Sequence, residues 1–187
     1  MKNFEIRSAT VNDAEEMLEI YRYYVENTAI TFEYCVPTAE QFSARIAEII
    51  KKYPYFVAAV DGRIVGYAYA REFVGREAYG WSAETTVYVA ANEKKHGIGR
   101  ALYDALETAL TKMGITNLYA CIGCPDKDDE YLTHNSAEFH AHMGYKKVGE
   151  FSKCGYKFDR WYNMIWMEKI IGGHKSNQPP VIPFNEL

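Results

Sequence analysis

The chain predicts an α+β fold, a mixed and mostly antiparallel sheet flanked by helices. Three observations carry that expectation. Segments whose apolar residues alternate with period two interleave with segments of helical spacing in the order β-α-α-β-β-β-α-β-α-β-β. Asp61-Gly62 stands between two alternating runs, the pattern of a two-residue antiparallel hairpin turn. The run from Thr85 to Leu106 passes from a strand through a glycine-marked turn straight into an amphipathic helix.

Taken from the N-terminus, Phe4 to Ala9 alternates as a first strand. Thr10-x-x-Asp13 then opens a helix whose Val11, Met17, Leu18, Tyr21, Tyr24 and Val25 fall at helical spacing. Residues 27–37 show no period. Thr38-x-x-Gln41 after Pro37 is a capping box, and Phe42, Ile46, Ile49 and Ile50 give the second helix its apolar face. The period returns to two in Tyr55 to Val60 and Arg63 to Phe73, with another strand from Glu84 to Val89. Ile98, Leu102, Leu106, Leu110 and Met113 mark one side of the third helix, which Gly114 ends by taking a left-handed backbone without steric cost. Leu118 to Ile122 reads as a strand, Asp126 to Glu130 as a charged loop and Asn135 to Met143 as a short helix. Two late strands are expected near Lys146 to Glu150 and Trp161 to Glu168. From Gly172 the Gly- and Pro-rich composition cannot continue a sheet. The expected organisation is therefore one domain over residues 1–171 and an extension over 172–187, whose Val181, Ile182 and Phe184 dock on the domain or on a second subunit.

Composition narrows the function. With 187 residues, 48% of them hydrophobic, the chain suits one compact core. A net charge of −4 supplies no basic field for nucleic acid or an anionic membrane, so a small molecule is the favoured partner. No apolar run approaches the ~18 residues of a membrane span, which fits a cytoplasmic protein. Cys35, Cys121, Cys124 and Cys154 are then expected to be reduced thiols. Cys121-Ile-Gly-Cys124 lacks the second close pair that structural zinc requires, and its cysteines read as small buried side chains; no metal is expected.

The chemistry concentrates at the glycine turn. Gly97 and Gly99 let a ligand approach the backbone, and the first N–H groups of the following helix point at whatever sits there, which suits phosphate. No P-loop spacing is present, and Leu102 stands where a dinucleotide fingerprint needs its third glycine. A plain strand-to-helix turn fits the same residues.

Lys94-x-x-Gly97-x-Gly99 resembles the Q/R-x-x-G-x-G/A loop of the GNAT N-acetyltransferase superfamily. The resemblance implies that acetyl-CoA is the cosubstrate. The backbone of Lys94, Lys95, His96, Gly97, Ile98, Gly99 and Arg100 would hold its pyrophosphate, and the Val87, Tyr88 and Val89 strand its pantetheine arm. Three further motifs narrow the likeness. Arg76-x-Ala-Tyr79-x-Trp81-x-x-Glu84-x-x-Val-Tyr-Val89, Phe139-His140-x-x-x-Gly144-Tyr145 and Gly155-Tyr-Lys157-x-x-x-Trp161 together resemble the phosphinothricin and methionine sulfone or sulfoximine N-acetyltransferase branch over residues 4–169.

Acetyl transfer to an amine needs a proton acceptor, because a primary amine is mostly ammonium at neutral pH. A positioned base contributes on the order of 10²–10⁴ in rate. The resemblance gives that role to Glu84, expected at the start of its strand. It also places His140 where many relatives carry a thiolate-protonating tyrosine, as base, acid or structural group. Asn135 and Ser136 align with CoA contacts, although Thr133 replaces an asparagine. Arg76 is the acceptor's expected anion partner, with Phe32, Glu33, Tyr79 and Trp81 lining the pocket. Tyr34, Tyr79 and Trp81 suggest a closed aromatic pocket. The function implied is acetylation of a small amino acid or anionic amino-acid analogue by a homodimer. Acetylation of a protein N-terminus and CoA binding without turnover are the alternatives.

Overall fold

A computed structural model describes residues 4–93 and 96–187. Its elements follow the expected order: β1 (Glu5–Ser8), α1 (Ala14–Asn27), α2 (Ala39–Ile49), β2 (Tyr55–Val60), β3 (Arg63–Glu72), β4 (Ser82–Val89), α3 (Ile98–Met113), β5 (Asn117–Cys124), α4 (Asn135–His142), β6 (Lys146–Lys157) and β7 (Arg160–Ile170). The chain divides into two compact units. One comprises the described part of Met1–Ile20 with Pro37–Leu118 and Ile170–Leu187; the other comprises Tyr21–Val36 and Tyr119–Lys169.

In the first unit β1, β2, β3 and β4 lie side by side as antiparallel neighbours. Asp61 and Gly62 both have positive φ, 49° and 80°, so the β2–β3 turn is the primed kind whose twist matches the strands. Side chains alternate across the sheet. One face meets α3: a Cβ on Gly66 would lie 3.3 Å from Ile98 and 3.4 Å from Leu102, and Tyr103 donates its hydroxyl to Thr85. The other face carries Tyr67, Tyr69 and Arg71 opposite Tyr88, Thr86 and Glu84. There Phe42 of α2 meets Tyr67 edge-on at 6.3 Å.

The capping box at Thr38 and Gln41 forms as expected, with Gln41 N–H to Thr38 Oγ1 at 3.2 Å and Thr38 N–H to Gln41 Oε1 at 2.9 Å. The Thr10/Asp13 box also forms, but it caps a 3-10 turn ahead of α1. Val11 therefore lies outside the helical stripe and is exposed. The C-terminal segment docks on the first unit mainly through its backbone: Ile182 N–H reaches Met113 O at 2.9 Å and Phe184 N–H reaches Lys52 O at 2.8 Å. The Phe184 ring packs edge-on against Phe56 at 5.7 Å, whereas the Ile182 side chain stays exposed.

In the second unit the strand order is β5-β7-β6. Here the late strands run well beyond the expected bounds, with antiparallel pairing from Lys146↔Glu168 to Lys157↔Arg160. Two local features hid this from a period-based reading. The register shifts between Phe151 and Gly155, where Lys153 takes φ 48°, and the closing turn is Phe158-Asp159 with φ 52° and 57°, a primed turn without the usual Asn or Gly. Leu118, Ala120 and Ile122 form the buried face of β5. Cys121 points the other way and is exposed, while Cys124 is half-buried, so the two are not both the core side chains expected.

Among the described residues no helix is long and apolar enough to cross a membrane, and no group of three or more His, Cys, Asp or Glu could hold a metal ion.

Candidate active site

Glu84 is the third residue of β4 rather than its first, because the ladder with β3 already begins at Ala83. Being inside the ladder buries it to 7% exposure and sets it opposite Arg71. Arg71 Nη2 donates to Glu84 Oε1 at 2.7 Å, which fixes one carboxylate oxygen. Sequence reasoning missed Arg71. Its pairing depends on the β3–β4 register, and the irregular connection over residues 73–81 conceals that register. Next on the same face, Tyr69 bonds Thr86, and burial pushes the Tyr69 hydroxyl pKa up.

The same strand then meets the glycine turn. Ala90 N–H donates to Val65 O at 2.8 Å, so alternation turns the Tyr88 peptide groups toward β3 and those of Val87 and Val89 toward the opposite edge. Of the three backbone positions expected to meet a pantetheine arm, Val87 and Val89 turn their peptide groups to the edge away from β3, and Tyr88 does not. Gly97 caps α3 with φ 82°, and the first intrahelical bond runs from Ala101 N–H to Gly97 O. The N–H groups of Ile98, Gly99 and Arg100 therefore have no partner within the helix. Nothing lies within 4 Å of a Cβ built on Gly97, no acidic residue sits in the first turn, and His96 and Arg100 are exposed beside it. Open space, outward N–H groups and positive helix dipole together fit a diphosphate. Lys94 and Lys95 lie outside the described residues.

In the second unit, α4 carries Asn135 and Ser136 in its first turn and His140 on its buried side. Thr133, which replaces the expected asparagine, accepts from Asn135 N–H at 3.4 Å. His140 Nδ1 lies 2.7 Å from Ser136 O; a carbonyl only accepts, so Nδ1 carries the proton and Nε2 the lone pair. The ring is 5% exposed and meets Phe139 and Tyr145 edge-on, each at 5.3 Å. Burial pushes its pKa down to about 4, opposed by the Ser136 bond, so the imidazole is neutral at pH 7. A neutral Nδ1–H tautomer has no acidic proton on Nε2, which argues against thiolate protonation by His140.

Phe32 and Glu33 belong to the irregular stretch after α1. Phe32 stacks on Tyr162 at 6.5 Å and joins the cluster of Ala29, Leu132 and Tyr162, so part of its ring is core rather than pocket wall. Tyr34 is 67% exposed and donates its hydroxyl to Tyr156 O. Lys157, quoted in a motif but given no role by sequence, is buried with its ammonium on the carbonyls of Val25, Thr28 and Thr31.

Arg76, Tyr79 and Trp81 lie on the β3–β4 connection in the first unit. Arg76 and Trp81 line a cleft of about 410 Å³ together with Lys52, Glu72, Pro180 and Val181; Glu84 and Tyr79 are not in that lining. Trp81 Nε1 donates to Pro179 O at 2.7 Å. Tyr79 is 41% exposed and packs edge-on against Phe73. Of the aromatic residues expected at the acceptor, Tyr34 and Tyr79 are exposed in their own units and Trp81 is half-buried.

An acetyltransferase (GNAT) domain model matches residues 6–166. The chain is 31% identical over 165 residues to a phosphinothricin N-acetyltransferase of Streptomyces viridochromogenes, covering 88% of this chain and 86% of that one. It is 30% identical over 165 residues to an L-methionine sulfoximine/L-methionine sulfone acetyltransferase of Pseudomonas paraeruginosa, covering 87% and 92%. Among solved structures, a phosphinothricin acetyltransferase of Sinorhizobium meliloti in complex with acetyl-CoA matches with a TM-score of 0.85 at 28% identity, covering 98% of this chain and 99% of that one. With its sheet order, its glycine cradle and this match over most of its length, the chain belongs to the GNAT acetyltransferase family.

Proposed function

We propose that this N-acetyltransferase transfers acetyl from acetyl-CoA directly to the α-amino group of a small amino acid or anionic analogue, of the phosphinothricin or methionine sulfone type, and works in the cytosol as a homodimer. The observation that carries the reading is the buried Glu84 carboxylate, steadied by Arg71, on the strand that runs through Val87 and Val89 to the Gly97 cradle.

Acetyl-CoA supplies the thioester electrophile when bound. The outward N–H groups of Ile98, Gly99 and Arg100 hold the diphosphate, and the Val87 and Val89 edge aligns the pantetheine arm. Glu84 takes the proton of the acceptor ammonium, directly or through water. A backbone N–H of Val87 or Val89 donates to the carbonyl oxygen as negative charge gathers there. His140, neutral and buried, shapes the wall of its unit and gives no proton. Arg76 offers a forked pair of donors to the acceptor's anionic group. Pairing with a second copy is supported by β6, at the end of the strand order, which leaves Val148 and Phe151 more than half exposed.

The test is thiol release from acetyl-CoA with phosphinothricin, methionine sulfone, methionine sulfoximine, ordinary amino acids and short peptides. Turnover at least tenfold faster with the anionic analogues is expected, and Arg76→Ala should raise KM mainly for them. Peptide N-termini are the second reading, favoured by the exposure of Tyr34 and Tyr79. Faster turnover with peptides would replace the first reading.

A further inference from the structure

Residues 28–36 form neither helix nor strand, so their backbone groups need partners from elsewhere in the unit. At the end of β6, Lys157 gives partners to two of these carbonyls, and its neighbours Gly155 and Tyr156 meet side chains of the same stretch. Gly155 and Lys157 share one face of the strand, both buried, with Tyr156 exposed between them. A Cβ on Gly155 would lie 2.5–2.8 Å from three carbons of the Phe32 ring, so that ring rests directly on bare backbone. The Tyr156 carbonyl accepts the Tyr34 hydroxyl. Lys157 Nζ sits 2.8 Å from each of the Val25, Thr28 and Thr31 carbonyls.

An ammonium has three N–H donors and no acceptor, so three carbonyls saturate it. One of the three, Val25 O, belongs to the last turn of α1, the negative end of a helix dipole, where a cation is favoured. Burial lowers the Lys157 pKa, and the charge of Glu33 acts the other way. The stretch is tied further by the Tyr21 hydroxyl with Thr31 Oγ1 at 2.8 Å, by Ala29 N–H to Tyr131 O at 3.0 Å, and by the N–H groups of Ile30 and Glu33 to Thr28 Oγ1 and Thr31 Oγ1, each at 3.3 Å.

We infer that Lys157 is a positioning residue for acceptor selection: by holding the carbonyls of Val25, Thr28 and Thr31 it sets where Phe32 and Glu33 stand. Gly155 acts with it by leaving room for the Phe32 ring. This rests on the reading that Phe32 and Glu33 meet the acceptor amine. Glu33 supplies an anion for its ammonium and Phe32 an apolar edge for its side chain.

The experiment compares wild type, Lys157→Met and Gly155→Ala in the full chain. It reads acceptor KM, acetyl-CoA KM, kcat and hydrogen–deuterium exchange of the amides at 29, 30 and 33. Lys157→Met should raise acceptor KM tenfold or more, leave acetyl-CoA KM within twofold, and speed exchange in this segment while the rest of the chain keeps its protection. Gly155→Ala should raise acceptor KM severalfold, and Phe32→Leu in that background should lower it again by making room. An unchanged acceptor KM in Lys157→Met overturns the inference, as does an equal rise in both KM values. If Lys157→Met does not fold, an unchanged acceptor KM in Gly155→Ala overturns it instead. Failure of the proposed function is separate: it shows as absent turnover in the wild type, whereas failure of this inference shows in the variants with wild-type turnover intact.

Discussion

Glu84 and Glu33 are both carboxylates, but the two units hold them by unlike means. Glu84 stands in a regular antiparallel ladder, and its partner Arg71 is the residue directly opposite. Its position follows from strand pairing, with every neighbouring peptide contributing. Glu33 stands on a stretch without ladder or helix, anchored by a lysine 126 to 132 residues away in sequence. The first arrangement is stiff because its bonds are repetitive and cooperative. The second relies on a few separate bonds, the largest group of them on one buried ammonium. On the proposed function, the ladder carries the proton acceptor and the anchored stretch the contacts that select the acceptor.

The sharpest break of the ladder side is Glu84→Gln, which keeps shape and removes the proton acceptor. We expect kcat to fall by roughly 10²–10³, within the usual range for loss of a general base. Acetyl-CoA affinity measured by calorimetry should change little, since the cradle lies further along the strand and on α3. Turnover within threefold of wild type would take Glu84 out of the mechanism.

In the second unit the largest effect is one of pH. His140 has its folded pKa depressed to about 4 from 6.5, so between those values the unfolded chain binds a proton that the folded chain refuses. Its stability contribution is complete above about pH 6.5 and is lost as pH falls toward 4, by about 3 kcal/mol. Urea unfolding across that window should show the slope in wild type and a flatter curve in His140→Gln. Identical slopes would mean that other groups carry the acid sensitivity.

The same contrast explains what could be read from sequence. Everything held by period or capping was legible: the Asp61-Gly62 hairpin, the Thr38/Gln41 box, α3 between Gly97 and Gly114, and Glu84 on β4. Features set by register or by distant side chains were not. Arg71 faces Glu84 only because of how an irregular connection closes, and no spacing rule gives that. β6 and β7 look short in sequence because Phe158-Asp159 makes a primed turn without the usual Asn or Gly and because the pairing slips after Phe151. Lys157 stood in a recognised motif, yet a lysine that ends up saturated by carbonyls looks the same in sequence as one in solvent. The exposure of Tyr34 and Tyr79 is equally invisible in sequence, because composition does not say which connections are covered.

Asp129 sharpens the comparison at intermediate size. Its Oδ1 accepts from the N–H groups of Tyr131 and Leu132, both at 2.8 Å, and its Oδ2 from Tyr162 and Arg160 at 2.9 and 3.0 Å. Burial acts to raise its pKa, but these bonds outweigh burial and the net shift is downward. Asp129→Ala removes a carboxylate that organises a loop in the way Lys157 organises another. It should cost about 2 kcal/mol of unfolding free energy, because the two N–H groups and the tyrosine lose a charged acceptor. Equilibrium denaturation checks this; a loss below about 0.5 kcal/mol would show that solvent replaces the carboxylate without cost.

The smallest expected effect lies at the C-terminal segment, at one of the side-chain bonds that tie it to the first unit. Trp81 Nε1 to Pro179 O joins the β3–β4 connection to the segment whose Pro180 and Val181 line the Arg76 cleft. Trp81→Phe keeps an aromatic ring but deletes the donor, and one neutral hydrogen bond is worth about 1 kcal/mol. For a chain of this size that corresponds to a Tm lower by about 2–4 °C. Amide exchange at Ile182 and Phe184 should stay slow, because their bonds to Met113 and Lys52 are separate from the indole. If those two amides also exchange faster, the indole bond is the closure on which the rest of the segment depends. The first unit would then hold its cleft as the second holds its loop, through one side chain reaching far along the sequence.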